Sequence, residues 1–293
     1  MNKISAVCFG EVLWDVLPTE KKIGGAPLNV AVKLNALRTQ TTMLTAIGKD
    51  KNAEGILNFF EEQQLQKTGI QKNKYPTGVV NINLDDTKNA VYDIAFPSAW
   101  NYILEENSNY ENIINSDYFV FGSLVCRNEI SKNTLLNYLS KTKAIKVLDL
   151  NLREPFFNSN LIKELIGKCD FLKLNDEELQ IVTSVYGIKE TDIGKQIKAL
   201  ANKTLIQSIC VTLGSDGAIL YHNNEIYKQE AYKVIVADTV GAGDAFLATL
   251  LVMLKKTDIK TALNYACGAG AYVASKEGAN PLFSEQIIES FIN

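Results

Sequence analysis

One histidine, His222, occurs in the 293 residues. Its scarcity removes the main component of Ser-His-Asp hydrolysis and of histidine-ligated metal centres. His222 itself stands beside Asn223-Asn224, where a solvated hairpin turn accounts for it. The five cysteines (Cys8, Cys126, Cys169, Cys210, Cys267) form no C-x-x-C pair, which points to free buried thiols in a reducing compartment. No G-x-x-x-x-G-K-[ST] occurs, because Gly48-Lys49, Gly167-Lys168 and Gly194-Lys195 lack both the upstream glycine and the hydroxyl. The first strand ends in Gly10-Glu11 rather than G-x-G-x-x-G, against a dinucleotide-binding oxidoreductase. Charge of one sign is also lacking. The formal net charge of −3 offers no attraction to nucleic acid or an anionic membrane, so neither is expected as a partner. The longest apolar run, residues 245–254, is too short to span a bilayer and contains Thr249. Residues 1–10 read as a first strand rather than a leader, and a cytoplasmic location is expected.

What remains is a chain that is 46% hydrophobic and 22% charged, with short apolar runs alternating with amphipathic stretches. That alternation predicts an α/β fold around a mostly parallel sheet. Strands are predicted at 4–9, 42–47, 118–121, 145–150, 171–174 and 209–213, and helices at 28–37, 53–64, 131–140, 161–167 and 192–202. A hairpin at 218–228 then precedes helices near 242–255 and 259–275. Residues 77–84 and 89–95, joined by Asp85-Asp86-Thr87-Lys88, break the alternation with period-2 patterning on both sides of a turn. They predict a small appended sheet, either a cover over a crevice at the strand ends or an edge hairpin without function.

The strongest local signal is Asp238-Thr-Val-Gly241-Ala242-Gly243-Asp244, leading into an apolar helix. Its glycines let the backbone approach a ligand, and the helix start offers free N–H groups and a positive dipole end to a phosphate. Asp244, in the first helical turn, is either an N-terminal helix stabiliser or a base placed to take a proton from an attacking hydroxyl. Taken alone, the two readings are even. Gly24-Gly25-Ala26-Pro27-Leu28-Asn29 opens another helix, with Pro27 suited to its first turn. Asp15, in an apolar stretch, is suited to accepting two vicinal sugar hydroxyls or to capping a turn. Asn175 and Glu178 have capping-box spacing, yet oxygen ligands at a strand end also suit the water shell of Mg²⁺. Thr212-Leu-Gly214-Ser-Asp-Gly217 is a strand ending in a tight turn, either a nucleotide wall or a simple β-turn. Arg153, after Asp149, meets a phosphate or pairs with that aspartate.

In this order, and along essentially the whole chain, the motifs resemble those of the ribokinase-like (PfkB-type) sugar kinases. The likeness within that family is nearest to bacterial fructokinases. It is carried there by Phe9-Gly-Glu11-Val-Leu-Trp-Asp15, Pro76-Thr-Gly78, Pro97-Ser-Ala-Trp100-Asn101 and Asp149-Leu-Asn-Leu-Arg153. The resemblance implies a three-layer α/β/α kinase domain over 1–293, with lid strands inserted at about 12–22 and 76–98. It implies ATP and Mg²⁺ as cofactors, with K⁺ as an additional one. Asp244 would be the base, and Gly241, Ala242 and Gly243 the anion hole. Asp15, Gly25, Asn29 and Arg153 would hold the sugar. Asn175, Thr212, Gly214, Gly217, Cys267 and Ala271 would border ATP, and Glu178 would act on Mg²⁺ through water. Asp238, Val240 and residues 275–279 would frame the monovalent cation. The lid would also pair two subunits as a homodimer.

The resemblance makes fructose, phosphorylated at its 6-hydroxyl, the expected substrate. The alternatives are 2-keto-3-deoxygluconate, favoured by Arg153, then ribose, tagatose phosphate or a nucleoside. A non-catalytic sugar or nucleotide sensor is the alternative from another class. Three departures from the family pattern stand out: Arg38 where a glycine is common, Thr249 where a Gly or Ala is common, and Asn101 where an aspartate is common.

Overall fold

The computed structural model describes residues 3–17, 20–84 and 90–293; the turn read at Asp85-Asp86-Thr87-Lys88 lies outside them. The first half of the chain runs β1 (Ser5–Phe9), β2 (Leu13–Val16), β3 (Lys21–Gly24), α1 (Ala26–Ala36), β4 (Gln40–Ile47), α2 (Lys51–Glu62), β5 (Ile70–Lys72), β6 (Gly78–Leu84) and β7 (Ala90–Ile94). The middle adds α3 (Tyr110–Asn115), β8 (Tyr118–Gly122), α4 (Glu129–Lys141), β9 (Ile145–Asp149), α5 (Ser159–Ile166), β10 (Phe171–Asn175), α6 (Asp176–Val185) and α7 (Ile193–Thr204). The last third comprises β11 (Ser208–Thr212), β12 (Ala218–His222), β13 (Glu225–Gln229), α8 (Ala242–Lys256), α9 (Ile259–Ala274) and α10 (Glu285–Ile292).

Nine strands form the main sheet, in the order β13-β12-β11-β10-β9-β8-β1-β4-β5. From β11 to β5 every pairing is parallel, and the β12–β13 hairpin adds two antiparallel strands at one edge. Parallel strands covered on both faces must be apolar throughout, which is why these segments read as continuous runs. Alternate residues serve opposite layers. Phe9, Phe119, Leu148, Leu172 and Ile209 pack against α4–α7, whereas Cys8, Val120, Val147 and Cys210 pack with α1, α2, α8 and α9. The result is the three-layer α/β/α arrangement. All five cysteines are free and buried. No described helix is long and apolar enough to cross a membrane.

A second, four-stranded sheet has the order β3-β2-β6-β7. Residues 77–84 contribute β6 as the patterning indicated, and the segment before α1 supplies β2 and β3. Trp14 fastens this sheet to the body, because its indole N–H donates to the Asn52 carbonyl at 3.0 Å. Arg127 holds the far end. It donates to the Ile94 and Ala95 carbonyls at 3.0 and 2.6 Å and to Asn101 Oδ1 at 2.9 Å. An aspartate at 101 would turn that last contact into an ion pair; asparagine keeps the hydrogen bond alone. Arg38 has φ 65°, the left-handed conformation that explains why glycine suits its position.

Candidate active site

The site residues gather at the carboxyl ends of the parallel strands, the crevice where open α/β sheets take ligands. Glu11 follows β1, Arg153 follows β9, and Asn175 and Thr212 end β10 and β11. The start of α8 faces this row. Its N-cap, Gly241, has φ 79°, and a Cβ there would lie 2.7 Å from the Ala279 backbone, so only glycine fits. No side chain caps α8, and the N–H groups of Gly243 and Asp244 take no partner among the described residues. They present the unsatisfied donors and positive dipole end that an anion requires. Asp238 braces the turn from behind. Its two carboxylate oxygens accept from the Val240 N–H at 3.0 Å and the Gly278 N–H at 3.1 Å.

Asp244 is buried, 9% exposed, and its Oδ2 accepts from the Asn29 side-chain amide at 2.8 Å. Burial pushes its carboxyl up to about 6. The nearby Asp149 adds to the rise, while Lys173, the Asn29 hydrogen bond and Arg153 oppose it. A carboxylate that served only to stabilise the helix would sit in solvent. This one is desolvated and hydrogen-bonded across the interface of α1 and α8.

Asp15 lies so close over the β3–α1 turn that a Cβ on Gly24 would be 2.1 Å from its Oδ2. Gly25, with φ 114°, similarly abuts the Glu11 carbonyl. Burial raises Asp15 to about 6, with Arg153 opposing. It raises Glu11 to about 7, and one oxygen of Glu11 has no partner among the described residues. Arg153 therefore stands among three carboxyl groups. The expected alternative of an Arg153–Asp149 pair is not what forms. Asp149 pairs with Lys173, at 2.9 and 3.2 Å, and among the described residues the Arg153 guanidinium donates only to the neighbouring Leu152 carbonyl.

Lys173 escaped the sequence reading altogether. It is buried beneath the anion turn, where a Cβ on Gly243 would be 3.2 Å from its Nζ. Burial acts against its charge, but Asp149, then Glu178 and Asp244, outweigh that and hold it above the ordinary lysine range. It sits in an otherwise apolar strand, and the register of β10 beside β9 brings it opposite Asp149.

Beside the start of α8 opens a cavity of about 640 Å³, lined by Asn175, Thr212, Gly214, Gly217, Ala242, Gly243, Cys267 and Ala271, among others. The nucleotide candidates and the anion turn thus share one cavity. Thr239, within the glycine-rich segment, and Phe246, two residues past it, line it as well, as do Tyr232 and Val236, which the sequence did not single out. Asn175 and Glu178 do form the capping box of α6. The Glu178 oxygens accept from the Asn175 N–H at 2.9 Å and the Leu152 N–H at 2.7 Å, each keeping one lone pair for water. Among the described residues no group of three acids, cysteines or histidines could hold a metal directly.

These features match a known family over nearly the full length, since the profile of the pfkB family carbohydrate kinases covers residues 3–286. The chain belongs to the pfkB family of carbohydrate kinases. It is thus a sugar kinase, a phosphotransferase with an alcohol group as acceptor. Probable fructokinase-2 of Arabidopsis thaliana is 27% identical over 96% of this pfkB kinase and 93% of its own length. The structure of a Xylella fastidiosa fructokinase with bound ATP superposes with a TM-score of 0.87 at 21% identity, over 98% of each chain. A double mutant of Vibrio cholerae fructokinase bound to fructose, ADP and a potassium ion gives a TM-score of 0.85 at 22% identity, over 99% of this chain and 98% of that one. The fold of this pfkB kinase is therefore ribokinase-like, as the motifs implied.

Proposed function

We propose that this kinase transfers the γ-phosphoryl group of ATP to the 6-hydroxyl of D-fructose, with Asp244 as the base. The observation that carries the reading is the place of Asp244. It is buried at the start of α8 and hydrogen-bonded to Asn29; the adjoining Ala242 and Gly243 line the nucleotide-sized cavity, and Arg153 acts on its charge as on that of Asp15. In the step, the hydroxyl oxygen forms a bond to the γ-phosphorus, the bond from that phosphorus to the ADP oxygen breaks, and the hydroxyl proton passes to Asp244 Oδ. Its raised affinity for protons suits it to receive one near neutral pH. The free N–H groups of Gly243 and Asp244 face the phosphoryl oxygens, whose charge is spread in the transition state, whereas the Ala242 N–H expected among them donates to the Thr239 carbonyl at 3.3 Å. Lys173, neutralised by Asp149, adds a fixed cation beneath them.

Asp15, Gly25, Asn29 and Arg153 hold the sugar. Thr212, Gly214, Gly217, Cys267 and Ala271 border the adenosine, with Asn175 nearer the phosphates. Mg²⁺, when bound, would neutralise phosphate charge there, and Glu178 would hold it through water, since its spare lone pairs fit that outer role. Asp238 and residues 275–279 frame the site of a monovalent cation, such as the potassium ion in the Vibrio cholerae complex. The small sheet acts as a lid that excludes water from the sugar, and its open edges, β3 and β7, are where a second copy pairs.

Fructose is favoured by the names of the relatives and by the residues around Asp15. One observation keeps a second substrate in view. Among the described residues no carboxylate hydrogen-bonds the Arg153 guanidinium, as a sugar acid such as 2-keto-3-deoxygluconate would require. ADP release measured over a panel of sugars with ATP and Mg²⁺ separates them. Turnover with millimolar fructose is expected; turnover with the sugar acid and none with fructose would overturn the assignment.

A further inference from the structure

Lys33 is a buried charge that the reading above leaves without a role. It lies in α1 four residues after Asn29, so both side chains project from one face of the helix. Asn29 uses that face to reach Asp244 at 2.8 Å, and it accepts from the Asn280 amide at 3.0 Å. Lys33 is 0% exposed, and its Nζ makes no hydrogen bond to any described residue. The amine instead sits 4.9 Å from the ring centroid of Phe283, three residues beyond Asn280. Thr249 of α8 is fully buried too, and its hydroxyl also lacks a partner among the described residues.

An ammonium without a carboxylate is expensive inside a protein, on the order of several kcal/mol, and an aromatic face returns only about 0.5–2 kcal/mol. A methionine would fill the same space at no such cost. Where stability is given up beside a reacting group, function is the first place to look for the reason.

We propose that Lys33 is a positioning residue for phosphoryl transfer, a cation held beneath the seam of α1 and α8 that favours the ionised carboxylate of Asp244 and its hydrogen bond to Asn29. The proposal rests on Asp244 being the base. Asn29 on α1 touches Asp244 directly, and the charged groups near enough to interact with it are Glu11 after β1, Asp149 on β9, Arg153 beyond it, Lys173 on β10 and Lys33 on α1. Asp149 and Lys173 pair with each other, and their effects on Asp244 oppose. Lys33 has no counter-ion within ion-pair distance among the described residues. Burial lowers it to about 7, and the negative charge of Asp244 acts against that fall.

The test is kcat/KM against pH for Lys33→Met and Lys33→Gln, with Asp244→Asn alongside. Both Lys33 variants should fold, with a Tm equal to or above that of the unaltered enzyme. Their acid limb should move up by about 0.5–1 pH unit, which is roughly a three- to tenfold loss near pH 6. The rates should converge near pH 8.5, where Asp244 is ionised with or without Lys33. An unchanged acid limb, an equal loss at every pH, or failure of both variants to fold would each make Lys33 structural and overturn the proposal. Asp244→Asn separates this from the underlying reading. If it abolishes turnover while the Lys33 variants behave as the unaltered enzyme, only the role of Lys33 falls.

Discussion

The side-chain amide of Asn29 donates to Asp244 Oδ2 at 2.8 Å, joining two residues 215 apart in the chain. The bond ties the first glycine-rich turn to the last, and it orients the carboxylate within a buried interface. A hydrogen bond to a charged group is worth about 1.5–3 kcal/mol. Asn29→Leu should therefore lower kcat/KM by roughly 10- to 100-fold. It should also move the acid limb to higher pH, because the contact favours the ionised form. Steady-state kinetics between pH 5 and 9 check both effects.

The pH dependence has a definite sign. The base must be ionised to accept a proton, and burial raises Asp244 to about 6, so kcat/KM should fall as pH drops through that value. Stability runs the other way. Asp244 and Asp15, at about 6, and Glu11, at about 7, all bind protons more tightly folded than unfolded. Their contribution is complete below the unfolded carboxyl range, about pH 4, and is lost as pH rises through 6 to 7. Asp244→Asn should therefore melt above the unaltered enzyme at pH 8, by a margin that shrinks toward pH 5.

The two glycines of the anion turn should respond differently to alanine. Gly241→Ala forces a Cβ to 2.7 Å from the Ala279 backbone at φ 79°, so both stability and activity should drop, the former by about 1–3 kcal/mol. Gly243→Ala meets only the end of the Lys173 side chain, at 3.2 Å. It should melt close to the unaltered enzyme while kcat falls, because the intruding methyl group occupies space beside the transferring phosphoryl group.

The buried Lys173–Asp149 pair supplies a further check. Lys173→Met strands a carboxylate in the interior and should cost about 3–5 kcal/mol in denaturant titrations. Adding Asp149→Leu should recover most of that stability. Activity should stay low in the double variant, since the cation beneath Gly243 is still missing.

Much of the fold could be read from the chain, because parallel strands covered on both faces are apolar runs and the helices between them are amphipathic. The glycine turns were legible for another reason: close backbone approach restricts residue choice within a few positions. Strands β2 and β3 are short and half-buried, so their pattern is faint beside that of β1 or β8. Lys33, Lys173 and Arg127 were invisible as charges with a purpose. Each owes its surroundings to residues distant in sequence: Phe283 for Lys33, Asp149 for Lys173, and the end of β7 for Arg127. Arg153 was noticed, but its expected partner went to Lys173 instead.

The central claim is that Asp244 takes the proton from the sugar hydroxyl, and the most direct measurement is ADP release by Asp244→Asn with fructose and ATP at saturating concentrations. Asparagine keeps the shape and still accepts from Asn29, so a folded protein is expected. Loss of the base should lower kcat by roughly 10²–10⁴-fold. A kcat within a few-fold of the unaltered enzyme would contradict the account.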